Sequence, residues 1–527
     1  MDAIGIENLR CLSNTGLIKL KPLTVLVGQN NSGKSTFLRA LPLLRQSVES
    51  RTMGPILWDD IVDFGSFHEA VNHDSEKPEI IFHFQFILDN SQMASFHGSV
   101  LPYNISLLED LNLLLTLNVS DIQKQGMTRA KECLLSFADH KIRIVFDNDG
   151  KVTTFLVNSL NVLELTNHDY YLDKRGKFIP YFDEIDQRIE PHLLSEITKQ
   201  VHTQTRHNTK TIVDVPQELF VLGSSKAMLA NLRENGFSDD YDDFQTLKNR
   251  VIAFATNQLL RVADNYIATY ASDVNYLAPV RATAERYYRI QELAVDEVDS
   301  NGRNLAMFLR NLTEDEREEF AQWTEKYFAV VPQFQSLGGH FSLKLKERGG
   351  KTAFNIADMG FGFSQVLPIV TELWRLISPQ YKRSKMLRLG KKLITFAIEQ
   401  PELHLHPSLQ AQLVDAFLAA IKAAREVNID LRLIIETHSE TLINRLGHRI
   451  ANGDVQRQDI NIVVFEKEHA NAPAQVSVAE YDEEGFLTNW PFGFFEHISR
   501  STRRTLYEKA NLSFVSGEPC TKKLCSD

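Results

Sequence analysis

The chain has 527 residues, of which 43% are hydrophobic and 24% charged, and its formal net charge is −11 at pH 7. The length predicts about two to four structural units, and the acidic balance argues against nucleic-acid binding over the whole surface. No apolar run approaches the length of a membrane span, Met1–Ile4 lacks the pattern of a signal peptide, and four scattered cysteines argue against a disulfide framework. A cytoplasmic protein without a membrane partner is expected.

The first part of the chain predicts short strands that lead into a phosphate-binding loop. Strands are expected at Ala3–Ile6, Leu17–Leu20 and Leu23–Val27. The third strand runs into Gly28–Ser35, whose pattern is G-x-x-x-x-G-K-S, and Phe37–Val48 is amphipathic. A strand, this loop and a helix in that order predict a P-loop nucleotide site.

The residue types of this loop suit the chemistry of a bound polyphosphate. Glycines let successive backbone N–H groups close around an anion, and the following helix N-terminus adds partial positive charge. Lys34 is expected to reach the β- and γ-phosphates, and the Ser35 hydroxyl to bind Mg²⁺. The predicted nucleotide-binding residues of the loop are Gly28, Asn30, Asn31, Ser32, Gly33, Lys34, Ser35 and Thr36.

The middle of the chain predicts two insertions of different character. Residues 78–165 are strand-rich, and the pair Asp149-Gly150 between 141–146 and 152–157 is a strong hairpin signal, which indicates an antiparallel lobe. Residues 183–331 are mainly helical, with a capping box at Thr313–Glu316. No heptad pattern is sustained, so no long coiled-coil arm is expected. The aromatic residues with helical spacing after the box are predicted core contacts: Phe320, Trp323, Tyr327 and Phe328.

Two later apolar runs, 393–398 and 431–435, suit buried parallel strands beside the P-loop strand. Glu399 and Gln400 follow the first run, and His438 follows the second. An acidic residue at the carboxyl end of a buried strand is where a second Mg²⁺ contact is needed. A histidine there is suited to touch the γ-phosphate or to hold the attacking water.

A second anion-binding helix end is expected before these strands. Asp358–Gln365 contains Gly360, Gly362 and Ser364 and opens the apolar helix 366–377. Glycines and a serine at a helix N-terminus favour contact with an anion.

Together these residues resemble the ATP-binding-cassette (ABC) ATPases of the SMC and OLD type. The matching positions are Gly28–Ser35 for the Walker A motif, Gly362, Ser364 and Gln365 for the signature motif, Glu399 for the Walker B acid, 405–407 for the D-loop and His438 for the switch histidine. The resemblance implies an α/β fold, that of an ABC-type, SMC-head-like P-loop ATPase with an inserted antiparallel β lobe and a helical insertion.

The same resemblance implies roles for the site residues. ATP and Mg²⁺ are the implied cofactors, with Ser35 and Glu399 as metal ligands and Glu399, Gln400 and His438 as catalytic residues. It also implies a homodimer, in which the signature motif of one copy closes the ATP site of the other. The expected units are 1–75 and 336–498 for the two parts of the ATPase head, 76–180 for the β lobe, 181–335 for the helical insertion and 499–527 for a tail.

One position departs from the family pattern. Most cassette ATPases place a glutamate after the Walker B acid as general base, and here that place is taken by Gln400. An amide cannot take a proton at neutral pH, although it can orient a water. Glu402 is a possible substitute, separated by Pro401. We therefore expect tight ATP binding with slow hydrolysis.

Three longer stretches, 360–368, 398–407 and 489–495, resemble the PtuA-like ATPases of Septu-type and retron-associated antiphage systems. Residues 276–281 and 302–305 are similar to the middle segment of that family. The resemblance implies a separate HNH nuclease as partner and, in a retron, a reverse transcriptase with its DNA–RNA product. The chain shows no Toprim or His-Asn-His pattern of its own, so no nuclease site is expected in it.

Several features leave alternatives open. His404-Leu405-His406 has the spacing of a metal site, but a subunit contact at the D-loop is favoured. The acidic run 239–243 is interpreted as a solvated loop rather than a nuclease cluster. The basic run 382–392 and the arginines at 500–504 suit either a nucleic-acid contact or solvent. The rival function is a stand-alone SMC-like ATPase for DNA repair or DNA-end binding, and the neighbouring reading frames discriminate between the two.

Overall fold

The structure is a computed structural model. It describes residues 1–50, 52, 54–94, 104–121, 127–173, 176–182, 189–204, 216–235, 241–291, 294–378, 392–469 and 472–490. Several segments singled out in the sequence lie outside these ranges, namely residues 239–240 of the acidic run, 382–391 of the basic run, 491–495 of the late motif and the tail 499–527.

The described residues form helices and strands over most of their length. The strands are β1 (Ala3–Leu9), β2 (Leu12–Asn14), β3 (Ile18–Lys19), β4 (Leu23–Gly28), β5 (Glu79–Leu88), β6 (Ser106–Leu107), β7 (Leu111–Asp121), β8 (Thr128–Phe137), β9 (His140–Phe146), β10 (Val152–Val157), β11 (Leu160–Asn161), β12 (Val221–Leu222), β13 (Val274–Leu277), β14 (Tyr288–Arg289), β15 (Val330–Leu337), β16 (His340–Glu347), β17 (Ala353–Asn355), β18 (Lys392–Glu399), β19 (Ile429–Glu436), β20 (Ile460–Glu466), β21 (Gln475–Tyr481) and β22 (Leu487–Thr488). The α-helices are α1 (Lys34–Glu49), α2 (Phe67–Ala70), α3 (Asn90–Ala94), α4 (Val162–Thr166), α5 (Ile189–Gln204), α6 (Ser225–Glu234), α7 (Tyr241–Ser272), α8 (Leu305–Asn311), α9 (Glu314–Phe328), α10 (Phe361–Ile377), α11 (Pro407–Glu426) and α12 (Glu440–Ala451).

The P-loop strand lies inside a mostly parallel sheet in the order β13-β18-β19-β4-β20-β21-β22. The first five of these strands are parallel, and β21 and β22 continue the sheet antiparallel. Strand β19 is hydrogen-bonded directly to β4, whereas β18 lies one strand further away. Because ligands gather at the carboxyl ends of such strands, the loops after β4, β18 and β19 meet at one edge.

Alternate residues of this sheet serve two separate hydrophobic cores. Val25 and Phe396 belong to the core that α10, α11 and α12 cover. Leu26 and Ala397, the next residue in each strand, belong to the core that includes α1 and α7. A strand directs successive side chains to opposite faces, so a strand buried on both faces has the continuous apolar run seen in the sequence.

The antiparallel lobe packs on the α1 and α7 side. Its strand order is β11-β10-β9-β8-β7-β5-β1-β2, with β3 paired to β1. The predicted hairpin is confirmed: β9 and β10 pair antiparallel around the turn at Asp147, whose backbone N–H donates to Lys151 O at 2.9 Å. Phe82, Leu115 and Leu135 alternate with more exposed residues and lie in the same core as α1 and α7.

The segment predicted as a helical insertion contains α5 to α9 and also a strand of the central sheet. Strand β13 follows the long helix α7 directly and pairs in parallel with β18. Its four residues are too few to show a period, which is why the pattern 183–331 appears helical throughout. The capping box is confirmed, since the Thr313 hydroxyl accepts from Glu316 N and the Glu316 carboxylate accepts from Thr313 N at 2.7 Å.

The predicted α/β fold of an ABC-type P-loop ATPase is confirmed by this sheet order and by the strand-loop-helix unit that starts it. Phe320 and Phe328 of α9 are buried as expected, with Trp323 and Tyr327 packed partly buried against the same core. Among the helices described, none is long and apolar enough to cross a membrane.

Candidate nucleotide site

The phosphate loop adopts a conformation that its glycines make possible. A Cβ atom on Gly28 would lie 2.1 Å from the carbonyl oxygen of Phe465 in the neighbouring strand β20. Gly33 precedes α1 with φ of 103°, and a Cβ atom there would lie 2.3 Å from Leu12. Asn31 also has a left-handed φ of 59°. Only glycine fits at the first two positions, so the loop can bring its backbone N–H groups together.

Lys34 lies folded back on the loop. Its Nζ donates to the carbonyl oxygens of Gly28 at 3.0 Å and Gln29 at 2.7 Å. The side chain is buried, and burial lowers the pKa of its ammonium group. The Ser32 hydroxyl donates to Gln29 O at 2.7 Å. A β- or γ-phosphate offers this ammonium a charged acceptor in place of two neutral carbonyls, which makes the stronger bond.

Two glutamates end the neighbouring strands β18 and β19. Glu399 and Glu436 are direct partners in the parallel register. Glu399 is bound by Arg39 of α1, whose Nε and Nη2 donate to its two oxygens at 2.6 and 2.8 Å. The Tyr276 hydroxyl donates to Glu399 as well, at 2.8 Å. The bond to Glu399 raises the pKa of Arg39, and burial raises the pKa of the Tyr276 phenol, so both donors keep their protons.

Glu436 is the carboxylate that reaches the phosphate loop. Its Oε1 accepts from the Ser35 hydroxyl at 2.9 Å. Its Oε2 is buried and has no hydrogen-bond partner among the described residues, and the residue is only 2% exposed. Burial raises the pKa of Glu436 to about 7, with the charge of Glu399 acting in the same direction. The sequence interpretation had not singled out this residue.

The chain turns sharply after Glu399. Gln400 has a left-handed φ of 43°, and its backbone N–H donates to Glu436 O at 2.8 Å. The turn brings Glu402 to the switch histidine, where its Oε1 accepts from His438 N at 2.7 Å. Burial raises the pKa of Glu402. Pro401 therefore does not carry Glu402 away from the site, which the sequence left open.

His438 follows β19 on the exposed side of this turn. Partial desolvation lowers the pKa of its imidazole, and the charge of Lys34 lowers it further. A neutral imidazole beside Lys34 has one ring nitrogen free to accept a proton or a hydrogen bond.

Arg281 is a buried residue that links the first turn of α10 to the end of β18. It is 2% exposed, and its Nη2 donates to the Glu399 carbonyl at 2.8 Å. Its backbone N–H and C=O bond the Gln365 side chain at 3.2 and 3.1 Å. Burial lowers the pKa of the guanidinium to about 10, with the charges of Glu402 and Glu399 opposing this. The Gln365 side chain thus fixes the backbone at residue 281, and the Arg281 guanidinium fixes the turn that follows β18.

The signature motif starts α10 at the protein surface. Gly360 precedes the helix with φ of 80°, and the Ser364 hydroxyl donates to Phe361 O at 2.7 Å within the first turn. Phe361 is 50% exposed, and its ring packs against that of His404 at 5.3 Å. A Cβ atom on Gly362 would lie 3.2 Å from the His404 carbonyl oxygen. The signature motif and the D-loop therefore form one continuous surface.

The two histidines of His404-Leu405-His406 make different contacts. His406 caps α11, accepting from Ser408 N, and His404 contacts Phe361. Within the part of the chain that the structure describes, no three His, Cys, Asp or Glu residues cluster as a metal site. The subunit-contact interpretation of His404-Leu405-His406 stays a prediction.

The predicted site residues thus fall into two groups. The residues of Gly28–Thr36 converge with Glu399, Gln400 and His438 at the carboxyl edge of the sheet. Gly362, Ser364 and Gln365 lie at the start of α10, beside the D-loop. Their individual roles remain predictions, as do the unit boundaries. Four contributors were not predicted as site residues. Arg39 and Glu436 belong to no motif, and Tyr276 and Arg281 lie in the stretch 276–281, which was noted only for its similarity to the family's middle segment.

The residues present fit a magnesium nucleotide. The loop supplies a cradle that only glycine leaves open, a buried ammonium group and a hydroxyl, and the strand edge supplies a carboxylate oxygen without a described partner. Oxygen ligands from the protein together with phosphate oxygens form the coordination that Mg²⁺ prefers.

Comparison with solved structures finds SMC heads. An Smc head bound to the C-terminal winged-helix domain of ScpA has a TM-score of 0.34 and 9% identity, covering 92% of this chain and 98% of that one. A Pyrococcus furiosus Smc head with an extended coiled coil, bound to the C-terminal domain of ScpA, has a TM-score of 0.33 and 10% identity. The match covers 97% of this chain and 99% of that one. The Thermotoga maritima SMC head domain has a TM-score of 0.33 and 8% identity, and the match covers 90% of this chain and 97% of that one.

No curated protein matches the chain significantly. The family model of the AAA ATPase domain designated AAA_15 matches residues 1–443, which is most of the chain. The P-loop, the strands β13, β18, β19 and β4 and the acidic strand ends lie within this match, and β20, β21 and β22 follow it. The chain belongs to the AAA_15 family of AAA ATPase domains and is an ATPase by that membership.

Proposed function

We propose that this chain is the ATPase subunit of a bacterial antiphage defence complex, in which two copies close on ATP and thereby regulate a separate HNH nuclease. The observation that carries the proposal is the division of the site. The phosphate loop and the strand edge would form a nucleotide half-site, and the half-exposed Phe361 at the start of α10 lies against His404 beside the predicted D-loop, with Ser364 and Gln365 buried behind it.

The nucleotide half of this proposal rests on the phosphate loop. Lys34 and Ser35 come from the loop, and Glu399, Glu402 and Glu436 come from the strand ends behind it. Arg39 already compensates Glu399. Bound ATP would then meet the ammonium group of Lys34, the hydroxyl of Ser35 and a divalent cation held by one of the other two acids, each of which has a buried oxygen without a partner among the described residues.

The dimer half of the proposal rests on exposed apolar side chains around the signature motif. Phe361 is half exposed at the start of α10. Val280 is 74% exposed and precedes Arg281, whose backbone is bonded to Gln365 of the same helix turn. Apolar groups that gather at the end of a functional helix support contact with a second protein surface. In the family that the motifs resemble, that surface is a second copy.

Hydrolysis is proposed to be slow. Gln400 occupies the place of the usual general base, and its amide can orient water but cannot accept the proton. The proton is then left to Glu402, to His438, whose lowered pKa keeps the imidazole neutral, or to the γ-phosphate itself. A slow site keeps the dimer closed for long periods, which suits a switch better than a motor.

The defence role rests on the motif resemblance alone. Residues 360–368 and 398–407 match the PtuA-like pattern, and that family works with an HNH nuclease. In a retron setting, a reverse transcriptase and its DNA–RNA hybrid would be further partners. Nucleic acid would then be bound through the complex.

Co-expression with the neighbouring gene products tests this proposal. The expected result is a complex that contains an HNH protein, a mass that indicates two ATPase copies, and cleavage of nucleic acid that changes when ATP is added. The Lys34→Ala variant is the matched control, since it keeps the surface and should remove the response to ATP. A chain that associates with no nuclease, or a nuclease indifferent to both ATP and Lys34→Ala, would contradict it.

A further inference from the structure

The two glutamates at the strand ends are not equivalent. Glu399 and Glu436 are register partners on adjacent parallel strands, but β19 is the strand bonded to the P-loop strand β4. Glu436 is therefore one strand closer to the phosphate loop. A carboxylate contact with the Ser35 hydroxyl is made from Glu436 and not from Glu399.

Glu399 is already fully engaged by its own chain. The Arg39 guanidinium binds both of its oxygens in a two-bond arrangement, at 2.6 and 2.8 Å, and the Tyr276 hydroxyl donates to Oε1. Paired bonds of this kind are strong and set the orientation of both groups. Its negative charge is matched by an arginine that stays protonated at any working pH.

Glu436 has the opposite status. One oxygen accepts from Ser35, and the other is buried without a partner among the described residues. A buried acceptor without a partner is costly, and a role in binding an ion is one of the recognised explanations for it. The Ser35 oxygen can bind a cation through its lone pair while its hydrogen still points to Glu436.

We propose that Glu436, rather than Glu399, is the carboxylate that binds the nucleotide-associated Mg²⁺ beside Ser35. In this assignment Glu399 is a positioning residue: through Arg39 it ties α1 to β18 and holds the edge on which Glu436 stands. The assignment rests on the proposed ATP site and revises one ligand of it. Ser35, Glu436 and phosphate oxygens form a set that suits Mg²⁺, which commonly binds one or two protein carboxylates together with substrate phosphates.

Manganese provides the test, because electron paramagnetic resonance measures free Mn²⁺ without any turnover. Wild type, Glu436→Gln and Glu399→Gln are first titrated with fluorescent ATP in EDTA, which reports nucleotide binding without metal. Mn²⁺ is then added to each protein saturated with a non-hydrolysable ATP analogue. Circular dichroism and Glu436→Asp, which keeps the carboxylate but shortens its reach, check that a lost signal is not unfolding.

Glu436→Gln should weaken Mn²⁺ binding by about tenfold or more, whereas its metal-free ATP affinity should not fall, because the variant removes a negative charge from beside the phosphates. Glu399→Gln should lose clearly less Mn²⁺ affinity. Wild-type Mn²⁺ affinity in Glu436→Gln, or an equal or larger loss in Glu399→Gln, overturns the assignment. If wild type binds no ATP in EDTA or with metal, the ATP site itself fails, and that failure is distinct from a misplaced ligand.

Discussion

The phosphate-loop edge and the signature edge of this molecule differ in how far their groups are satisfied by the chain itself. At the loop, Lys34 is buried and bonded to loop carbonyls, and Glu399 is bonded to Arg39 and Tyr276. At the start of α10, Phe361 is half exposed, and the buried Ser364 hydroxyl donates to Phe361 O within its own helix turn.

This difference separates a binding pocket from a docking surface. A pocket preorganises its polar groups with internal partners, so a ligand replaces weak bonds with stronger ones. A docking surface leaves apolar groups exposed until a partner covers them. The variants below are chosen to change one edge without the other.

The largest effect is expected at the pocket. Lys34→Ala should weaken ATP binding by at least about 100-fold, because it removes two or more charge-assisted hydrogen bonds to phosphate. Equilibrium titration with fluorescent ATP measures this loss. Lys422→Ala, which removes an exposed lysine of α11, is the matched control and should leave the affinity unchanged. Equal affinity in Lys34→Ala and wild type would show that the loop is not the phosphate site.

The second effect belongs to the docking surface alone. Phe361→Asp should weaken the ATP-dependent dimer by about 30-fold, the loss typical of a buried aromatic anchor, while monomer ATP affinity stays near wild type. Sedimentation over a concentration series measures the dimer. Phe486→Asp is the control, since Phe486 is 66% exposed in the turn between β21 and β22. An unaltered dimer in Phe361→Asp would remove the signature surface from the interface.

The third effect concerns the rate of ATP hydrolysis in the pocket. Gln400→Glu should raise the ATP hydrolysis rate by about tenfold or more, because a carboxylate at this position can act as general base. A steady-state phosphate-release assay measures the rate, with Glu402→Gln as a second variant that tests the other carboxylate of the turn. Wild-type turnover at tens per second, or no gain in Gln400→Glu, would contradict the slow-site interpretation.

The smallest effect concerns stability without ligand. Burial raises the pKa of Glu436 from 4.5 to about 7, so the folded form holds the proton more tightly, and the contribution of Glu436 to stability falls as pH rises between these values. The Glu436→Gln variant has no carboxyl group to ionise at this position, so it does not lose stability in this way as the pH rises. In EDTA without nucleotide, its melting temperature should exceed that of wild type by a few degrees at pH 8 and approach it at pH 4.5. A constant difference across this range would contradict the burial of an uncompensated carboxylate.

Local patterns predicted the parts of this molecule that are formed by residues close in sequence. The loop Gly28–Thr36, the hairpin around Asp149-Gly150 and the capping box at Thr313 each depend on fewer than about 20 consecutive residues. The acid at the end of β18 was also found from its strand. Glu436 was overlooked because an acid before a histidine switch carries no motif of its own.

The remaining contacts could not be predicted, because they join distant parts of the chain. Arg39 is 360 residues from Glu399, and Tyr276 is 123 residues from it. Arg281, which lies in the segment predicted as mainly helical, contacts Gln365 across 84 residues. Such pairs follow from the strand order β13-β18-β19-β4, and that order is a property of the folded sheet.

The mass of the protein with and without nucleotide shows whether two copies close on ATP. Sedimentation of purified wild type should give a monomer in EDTA and a dimer with Mg²⁺ and a non-hydrolysable ATP analogue. Ser364→Ala should bind the analogue as a monomer and show a weakened dimer. A wild-type protein that binds the analogue with Mg²⁺ and remains a monomer at every concentration would contradict the composite site on which the account depends.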